Sequence, residues 1–274
     1  MEITVIVTLY NDADIVKRMV DLNIVNLEKY NDLEVVFIDD CSSDNTVDIL
    51  KFCLQNIKLT YKIITNDLNM GVAFSRNCGI YESKGKYIAF LDSDDLWHVD
   101  KIGIQRDLMI KTGVDVIATK SFYTTYKQLN ISSLKRIVNC NYQKVAFLPS
   151  LFRTPFVTPS VFMLRSILKK ERFPDSMRYA EDYNLWLRLI YKYRVIKLDC
   201  ELVTVITSEE SSKNIGLSDS LYKMHKGIKT TLWSYNNDLY PFYIRVASIL
   251  SVFFEYIKLA IRVIKKIFTM LYQK

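Results

Sequence analysis

The chain has 274 residues, half of them hydrophobic, with only 7 glycines and 5 prolines. That suits one large domain, or one domain plus an extension, with a sizeable core, and it excludes collagen-like, low-complexity and disordered classes. The net charge of +7 admits nucleic acid, anionic lipid or phosphorylated ligands as partners. Its distribution decides among them: after Glu255 the chain carries no acid but keeps Lys258, Arg262, Lys265, Lys266 and Lys274 among large apolar residues. A lipid surface fits that pattern better than a nucleic-acid groove, so no nucleic-acid partner is expected. The five cysteines are scattered and form no C-x-x-C pair. A disulfide framework or a cysteine zinc site is therefore not expected, and a reducing compartment suits them. Met1 to Val7 lacks a basic n-region and carries Glu2, so it reads as a strand rather than a signal peptide, with the cytoplasm as default location.

Ile3 to Leu9 is a β-rich apolar run, followed by a helical stretch from about Asp12 to Tyr30. Leu33 to Ile38 reads as a second strand, Asp44 to Leu54 as a helix capped by Asp44, and Tyr61 to Thr65 as a third strand. Val72 to Glu82 is a further helix and Lys86 to Leu91 a fourth strand. Strands alternating with helices at this spacing imply βαβ units and a mainly parallel, doubly wound sheet, which binds ligands at the carboxyl ends of its strands. The stretch from Lys120 to Thr154 shows no clear period. Beyond it, Ser160 to Leu164 and Val195 to Val205 read as strands, and Glu181 to Tyr193 as a helix. From Pro241 the character changes: Val246 to Phe254 is uncharged and apolar, then basic residues recur every three or four positions. That run is too short for a bilayer span of about 20 residues, and an interfacial amphipathic helix is expected over 241–274. The competing expectation is a helix packed on the core or on a second subunit. If the membrane reading holds, the core folds without this tail.

The polar motifs fall just after the apolar runs. Asp92-Ser93-Asp94-Asp95 crowds three carboxylates at one strand end. Such an oxygen-rich edge suits Mg²⁺ or Mn²⁺, ions that also bind phosphate oxygens, although a solvated acidic turn with Asp95 capping the next helix has the same sequence. Thr8-Leu9-Tyr10-Asn11 ends the first strand, and Asp39-Asp40-Cys41-Ser42-Ser43-Asp44 ends the second. Asn69-Met70-Gly71 opens the helix that carries Arg76.

This ordered constellation resembles the family 2 glycosyltransferases, the inverting group with a GT-A fold. The resemblance is close over about residues 3 to 102 and resumes from about Pro159 to Arg188, where Arg178-Tyr179-Ala180-Glu181-Asp182-Tyr183 looks like the family's Glu-Asp helix start. It implies a GT-A sheet flanked by helices and a nucleotide-sugar donor, UDP-linked as in many relatives, whose sugar passes to an acceptor hydroxyl. It also implies roles. Thr8, Asn69, Gly71 and Ser93 line the nucleotide site, and Tyr10 stacks on the base. Asp39 and Asp40 read base and ribose through carboxylate acceptors. Arg76 holds phosphate or the base site, Asp92 faces ribose or donor sugar, and Asp94 ligates Mn²⁺ or Mg²⁺. Asp182 is the general base, with Glu181 as its rival. Trp186, one turn on, flanks the acceptor or belongs to the core.

One departure stands out. Many relatives carry a Tyr-Arg-x-His stretch after this helix and the strand that follows it; here the corresponding Val205 to Ser212 segment has no histidine. His98 reads as structural, and His225 as surface or structural. With the basic tail, the resemblance implies a lipid-linked saccharide acceptor, as in surface-polysaccharide synthesis, and a peripheral position on the inner face of the cell membrane. The expected division is a glycosyltransferase domain over 1–240 and a tail over 241–274. Two rivals remain at this point. A nucleotidyltransferase would need a Gly-rich basic loop after the first strand, where Thr8-Leu9-Tyr10-Asn11-Asp12 has neither glycine nor lysine. A catalytically inactive nucleotide-sugar-binding or scaffold protein at the membrane would have no reason to keep both Asp94 and Asp182.

Overall fold

A computed structural model describes residues 1–129, 140–207 and 217–272. Four parallel strands, β1 (Ile3–Leu9), β2 (Leu33–Asp39), β3 (Thr60–Thr65) and β4 (Tyr87–Asp92), form one half of the sheet in the order β3-β2-β1-β4. Beyond β4 the sheet continues through β8 (Phe162–Leu164), β6 (Val116–Thr124), β9 (Val195–Ile206) and β5 (Leu96–Trp97), and β7 (Tyr142–Lys144) adds to β9. Antiparallel β8 separates β4 from β6, so β6 and β9 again point the same way as β1. The expected mainly parallel sheet flanked by helices is present.

β1 and β2 are uninterrupted apolar runs because both of their faces are covered. One face packs Val5, Val7, Phe37 and Leu91 against α1 (Val16–Met19), α2 (Thr46–Leu54) and α4 (Lys101–Thr112). The other packs Ile6, Ile88 and Phe90 against α3 (Val72–Glu82), α6 (Arg165–Leu168) and α7 (Glu181–Lys192). Trp186 belongs to this second core, fully buried between Phe156 and Phe173, and does not face an acceptor.

The predicted helix over 12–30 is shorter and broken. After α1 the chain passes through a π turn at Val20–Ile24 and a 3₁₀ turn at Val25–Leu27. Repeated β-branched residues weaken the helix, and the π turn aims buried Asn23 at the Asp95 turn: its side chain accepts from Trp97 N–H (2.8 Å) and donates to Asp95 O (3.1 Å). α2 starts at Thr46, two residues after the expected cap, yet the Asp44 carboxylate still accepts from Thr46 N–H at 3.0 Å. Asp95 caps nothing; α4 begins only at Lys101, after Asp100.

In the stretch without a period, β6 runs to Thr124, and β7 and α5 (Phe147–Phe152) follow the residues outside the description. Cys140 and Cys200 form a disulfide, with Cα atoms 5.6 Å apart, against the expectation from their spacing. Their separation of 60 residues hides a proximity that the β7–β9 pairing creates.

The C-terminus is an antiparallel helix pair, α8 (Leu217–Trp233) and α9 (Phe242–Tyr272). Ile244, Ser248, Val252 and Glu255 of α9 are buried, and Ile244 and Val252 share a third core with Leu151, Tyr183, Leu187 and Leu232. Deleting 241–274 would uncover that core, as in the alternative of a helix packed on the core. The opposite stripe of α9, with Ile249, Phe253, Ile257, Ile261 and Ile264, is exposed. No helix among the described residues is long and apolar enough to cross a membrane.

Candidate active site

The parallel register sets Thr8 opposite Asp92 and Leu9 opposite Asp39, so the polar residues after β1, β2 and β4 gather on one rim. Two of the loops there are held in left-handed backbone, at Asn11 (φ 53°) and Cys41 (φ 62°). The loops brace each other: Asn11 Oδ1 accepts from Ser43 N–H at 2.8 Å, and Ser42 Oγ accepts from Asn11 N–H at 2.9 Å. Non-glycine residues hold this conformation only where surrounding structure over-determines it.

A cleft of about 520 Å³ opens on this rim, lined by Thr8, Tyr10, Asp40, Asn69, Gly71, Arg76, Asp92, Ser93 and Asp94. Nine of the residues singled out from sequence thus share one cavity. Tyr10 lies at its mouth, 49 % exposed, which suits a stacking surface. Asp40 spends its carboxylate on the loop: it accepts from Met70 N–H (3.0 Å), Gly71 N–H (2.7 Å) and Asn66 Nδ2 (2.8 Å). Gly71, at φ 90°, is a conformation closed to other residues, and it sets the start of α3. Asp39 stands behind the cleft wall, 1 % exposed, and accepts from Ser42 N–H and Oγ. It shapes the turn rather than reaching the cavity.

Arg76 is buried and joins two acids: Nη2 donates to Asp92 (2.8 Å) and Nη1 to Glu181 (3.1 Å). It therefore ties α3 and β4 to the start of α7, a different use from direct phosphate binding. Glu181 is committed to that pair. Asp182 is not: one carboxylate oxygen accepts from its neighbour's N–H at 2.6 Å, and the side chain remains partly exposed. Burial raises its pKa above the ordinary aspartate value, Arg76 acting against this and Asp92 with it. The residue before the pair, Ala180, is left-handed (φ 58°), and Gly227 of α8 lies so close that a Cβ there would sit 2.3 Å from Tyr179 O. α8 thus clamps the turn that presents Asp182.

The acidic end of β4 divides by role. Asp95, 4 % exposed, accepts from Ile206 N–H at 3.2 Å and is pushed up to about 8 by burial and by Asp92 and Asp94. It anchors the end of β9. Asp94 faces the cleft, forms no ion pair among the described residues, and is raised to about 6 by burial and the charge of Asp92. Among the described residues no group of three or more His, Cys, Asp or Glu encloses a metal by itself. Mg²⁺, however, takes one or two carboxylates and completes its shell with substrate phosphates and water. A cleft-facing Asp94 with no ion pair among the described residues, beside Asp92, fits such a half-built site. The part of the histidine-free segment from Ser208 to Ser212 lies outside the described residues.

Two cleft residues, and a pair within reach of Asp94, were not singled out from sequence. Asp12 lines the cleft and accepts from Ser93 Oγ (2.7 Å) and Tyr10 N–H (3.1 Å), with its pKa raised by burial. Arg178 also lines it, donating to Asn69 Oδ1 (3.3 Å) and Asn69 O (3.2 Å). Its position just before the Glu-Asp pair was the available signal. Arg18 lies 3.7 Å over the Tyr126 ring, near enough to act on Asp94, and nothing in the spacing of either residue marks them. His98 and His225 are buried, as expected of structural histidines; His98 accepts from Asp100 N–H and His225 packs 4.7 Å from the Tyr256 ring.

The family Glycosyl transferase family 2 matches residues 4–172, and the chain belongs to it. An uncharacterized glycosyltransferase of Rickettsia felis is 30 % identical over 74 % of this chain, but this chain spans only 33 % of that relative's length. The Escherichia coli UDP-Glc:alpha-D-GlcNAc-diphosphoundecaprenol beta-1,3-glucosyltransferase WfaP is 30 % identical over 82 % of this chain and 78 % of its own. Among solved structures, the mannosyltransferase PcManGT of Pyrobaculum calidifontis, in complex with GDP-Man and Mn²⁺, covers 94 % of this chain and 74 % of that one. Its TM-score is 0.67 at 18 % identity, a likeness of fold.

Proposed function

We propose that the chain is an inverting glycosyltransferase that moves a hexose from a UDP-sugar to a hydroxyl of a lipid-linked saccharide in surface-polysaccharide synthesis. The observation that carries this reading is an uncommitted Asp182 beside Arg76, which bridges Glu181 to the Asp92 of a nucleotide-sized cleft. WfaP, with its UDP-glucose donor and diphosphoundecaprenol-linked acceptor, supports the choice of substrates.

In this reading Tyr10 carries the base, while Asp39 and Asp40 hold the turns that shape the base and ribose site. Asn69 and Gly71, braced by Arg178, flank the phosphates with Thr8 and Ser93. Asp92, fixed by Arg76, faces the donor sugar. Asp182 takes the proton of the acceptor hydroxyl as that oxygen attacks the anomeric carbon from the side opposite the leaving group. The bond from that carbon to the diphosphate oxygen breaks, its electron pair leaves with the nucleoside diphosphate, and configuration inverts. Mn²⁺ or Mg²⁺ at Asp94 would supply charge neutralisation on the departing diphosphate.

Residues 1–240 form the transferase unit in this account, and 241–274 the membrane-facing tail. In this reading the exposed apolar stripe of α9, alongside Arg262, lies flat on the inner face of the cell membrane. The test is thermal unfolding with a panel of nucleotides and nucleotide sugars, with and without Mn²⁺. Ligands that bind the native state raise its apparent stability. Metal-dependent stabilisation by UDP and one UDP-sugar is expected. A response to GDP alone would make this a GDP-sugar enzyme, and no response to any nucleotide would favour the scaffold reading.

A further inference from the structure

A second cleft, of about 650 Å³, lies between β6, β7, β9 and α5 and is distinct from the donor cleft in every lining residue. Four cations line it, Lys120, Lys144, Arg153 and Lys197, against one acid, Asp199. Lys120 pairs with Asp199, which leaves a surplus of three positive charges. Arg153 and Lys144 have no ion pair among the described residues. Half-buried Lys197 donates only to Pro155 O, at 2.6 Å. Burial, then the charges of Arg153 and Lys120, push the Lys197 pKa down. Like charges gathered without a counter-ion destabilise a fold unless an anion visits them.

The cleft also has an address. Ser150, on its wall, accepts through its carbonyl from Tyr183 Oη at 2.9 Å, and Tyr183 is the residue after Asp182. The far end of the same helix, α5, is gripped by the tail: Lys258 Nζ donates to Phe152 O at 2.7 Å, and Phe152 packs 5.6 Å from Phe254. α5 therefore separates three things by a few residues: the start of the base helix, the cationic cleft, and the amphipathic helix.

We propose that this cleft, through Arg153, Lys197 and Lys144, binds the diphosphate that joins the acceptor saccharide to its lipid. This rests on the lipid-linked acceptor reading above. The saccharide hydroxyl would then extend from the cleft toward Asp182, and the hydrocarbon would leave along α9. Guanidinium and ammonium groups are the side chains that bind phosphate oxygens, and the two negative charges of a diphosphate esterified at both ends fall within the surplus.

The experiment compares two acceptors with the full chain: a GlcNAc-α-diphospho-undecyl lipid and the neutral undecyl GlcNAc glycoside. The wild type is expected to prefer the diphosphate in kcat/KM. R153A/K197A should reduce that preference by about tenfold or more, since each charged hydrogen bond is worth a substantial factor. UDP-induced thermal stabilisation of the variant, measured alongside, establishes that it is folded; R153Q/K197Q serves if the alanines unfold it. If the variants keep the full preference, the cleft assignment is wrong while the lipid-linked acceptor stands. If the wild type transfers to the neutral glycoside alone, the acceptor reading fails and the cleft assignment with it.

Discussion

The two halves of the sheet solve opposite problems. On the donor side, β1 to β4 are parallel, doubly covered strands whose tips carry short polar loops, and almost every carboxylate there has a partner within the protein. On the other side, where the acceptor cleft is proposed, β6 to β9 are of mixed direction, β6 shifts register against β9 near Lys120, and the cleft holds unmatched cations. A nucleotide diphosphate is the same for every donor of its class, so its site can be rigid and built from local sequence. The second cleft is assembled from segments far apart in the chain.

Short of removing the base itself, breaking the donor side at the proposed metal position should have the largest effect. D94A is expected to lower kcat about 10²–10³-fold, the loss found when one stabiliser of developing charge is removed. Stabilisation by UDP should then no longer respond to Mn²⁺ or to its removal by chelator. Unchanged metal dependence would move the cation elsewhere. Next in size, R76A leaves buried Glu181 and half-buried Asp92 without their shared cation; breaking a fully buried pair costs about 3–5 kcal/mol, and the partial exposure of Asp92 puts the loss at or below the low end of that range. Thermal unfolding measures this, and a shift within error would mean that the two acids simply take up protons.

G227A tests the join between the halves. Its Cβ would meet Tyr179 O at 2.3 Å, so the turn presenting Asp182 must move. Overpacking of this kind costs about 1–3 kcal/mol, and turnover should fall with donor affinity retained. A variant with normal turnover would show that α8 does not set the base. The pH profile is a finer probe. A base works when ionised, so activity rises with pH through the pKa of Asp182, and burial places that limb above the ordinary aspartate value. A limb at the ordinary value would mean that Arg76 outweighs burial. The smallest effect belongs to the tail face: I249S/F253S/I257S alters exposed positions, so stability should hold within about 0.5 kcal/mol. Binding to anionic vesicles should drop about tenfold. Unchanged vesicle binding would give α9 to a protein partner.

The donor half was legible because its signals are local. Apolar runs, strand tips and the Asn69-Met70-Gly71 turn each occupy a few consecutive residues, and α3 begins and ends where its sequence indicates. The roles of single side chains were less legible. That Arg76 reaches Glu181 across 105 positions depends on how elements meet. The same reason hid the Cys140–Cys200 pair and the cationic cleft, whose lysines and arginine come from β6, β7, β9 and the end of α5. The tail was half legible: its amphipathic pattern is plain, but which stripe is buried follows from α5 and α8.

The most direct test of the account is D182N, assayed for sugar transfer from the donor that the stabilisation panel identifies, with UDP affinity measured on the same preparation. Loss of the base is expected to cost about 10²–10⁴-fold in kcat with UDP affinity unchanged. Normal transfer by D182N would contradict the account, because the acid of the Glu181–Asp182 pair that Arg76 leaves free of an ion pair would then not be the base.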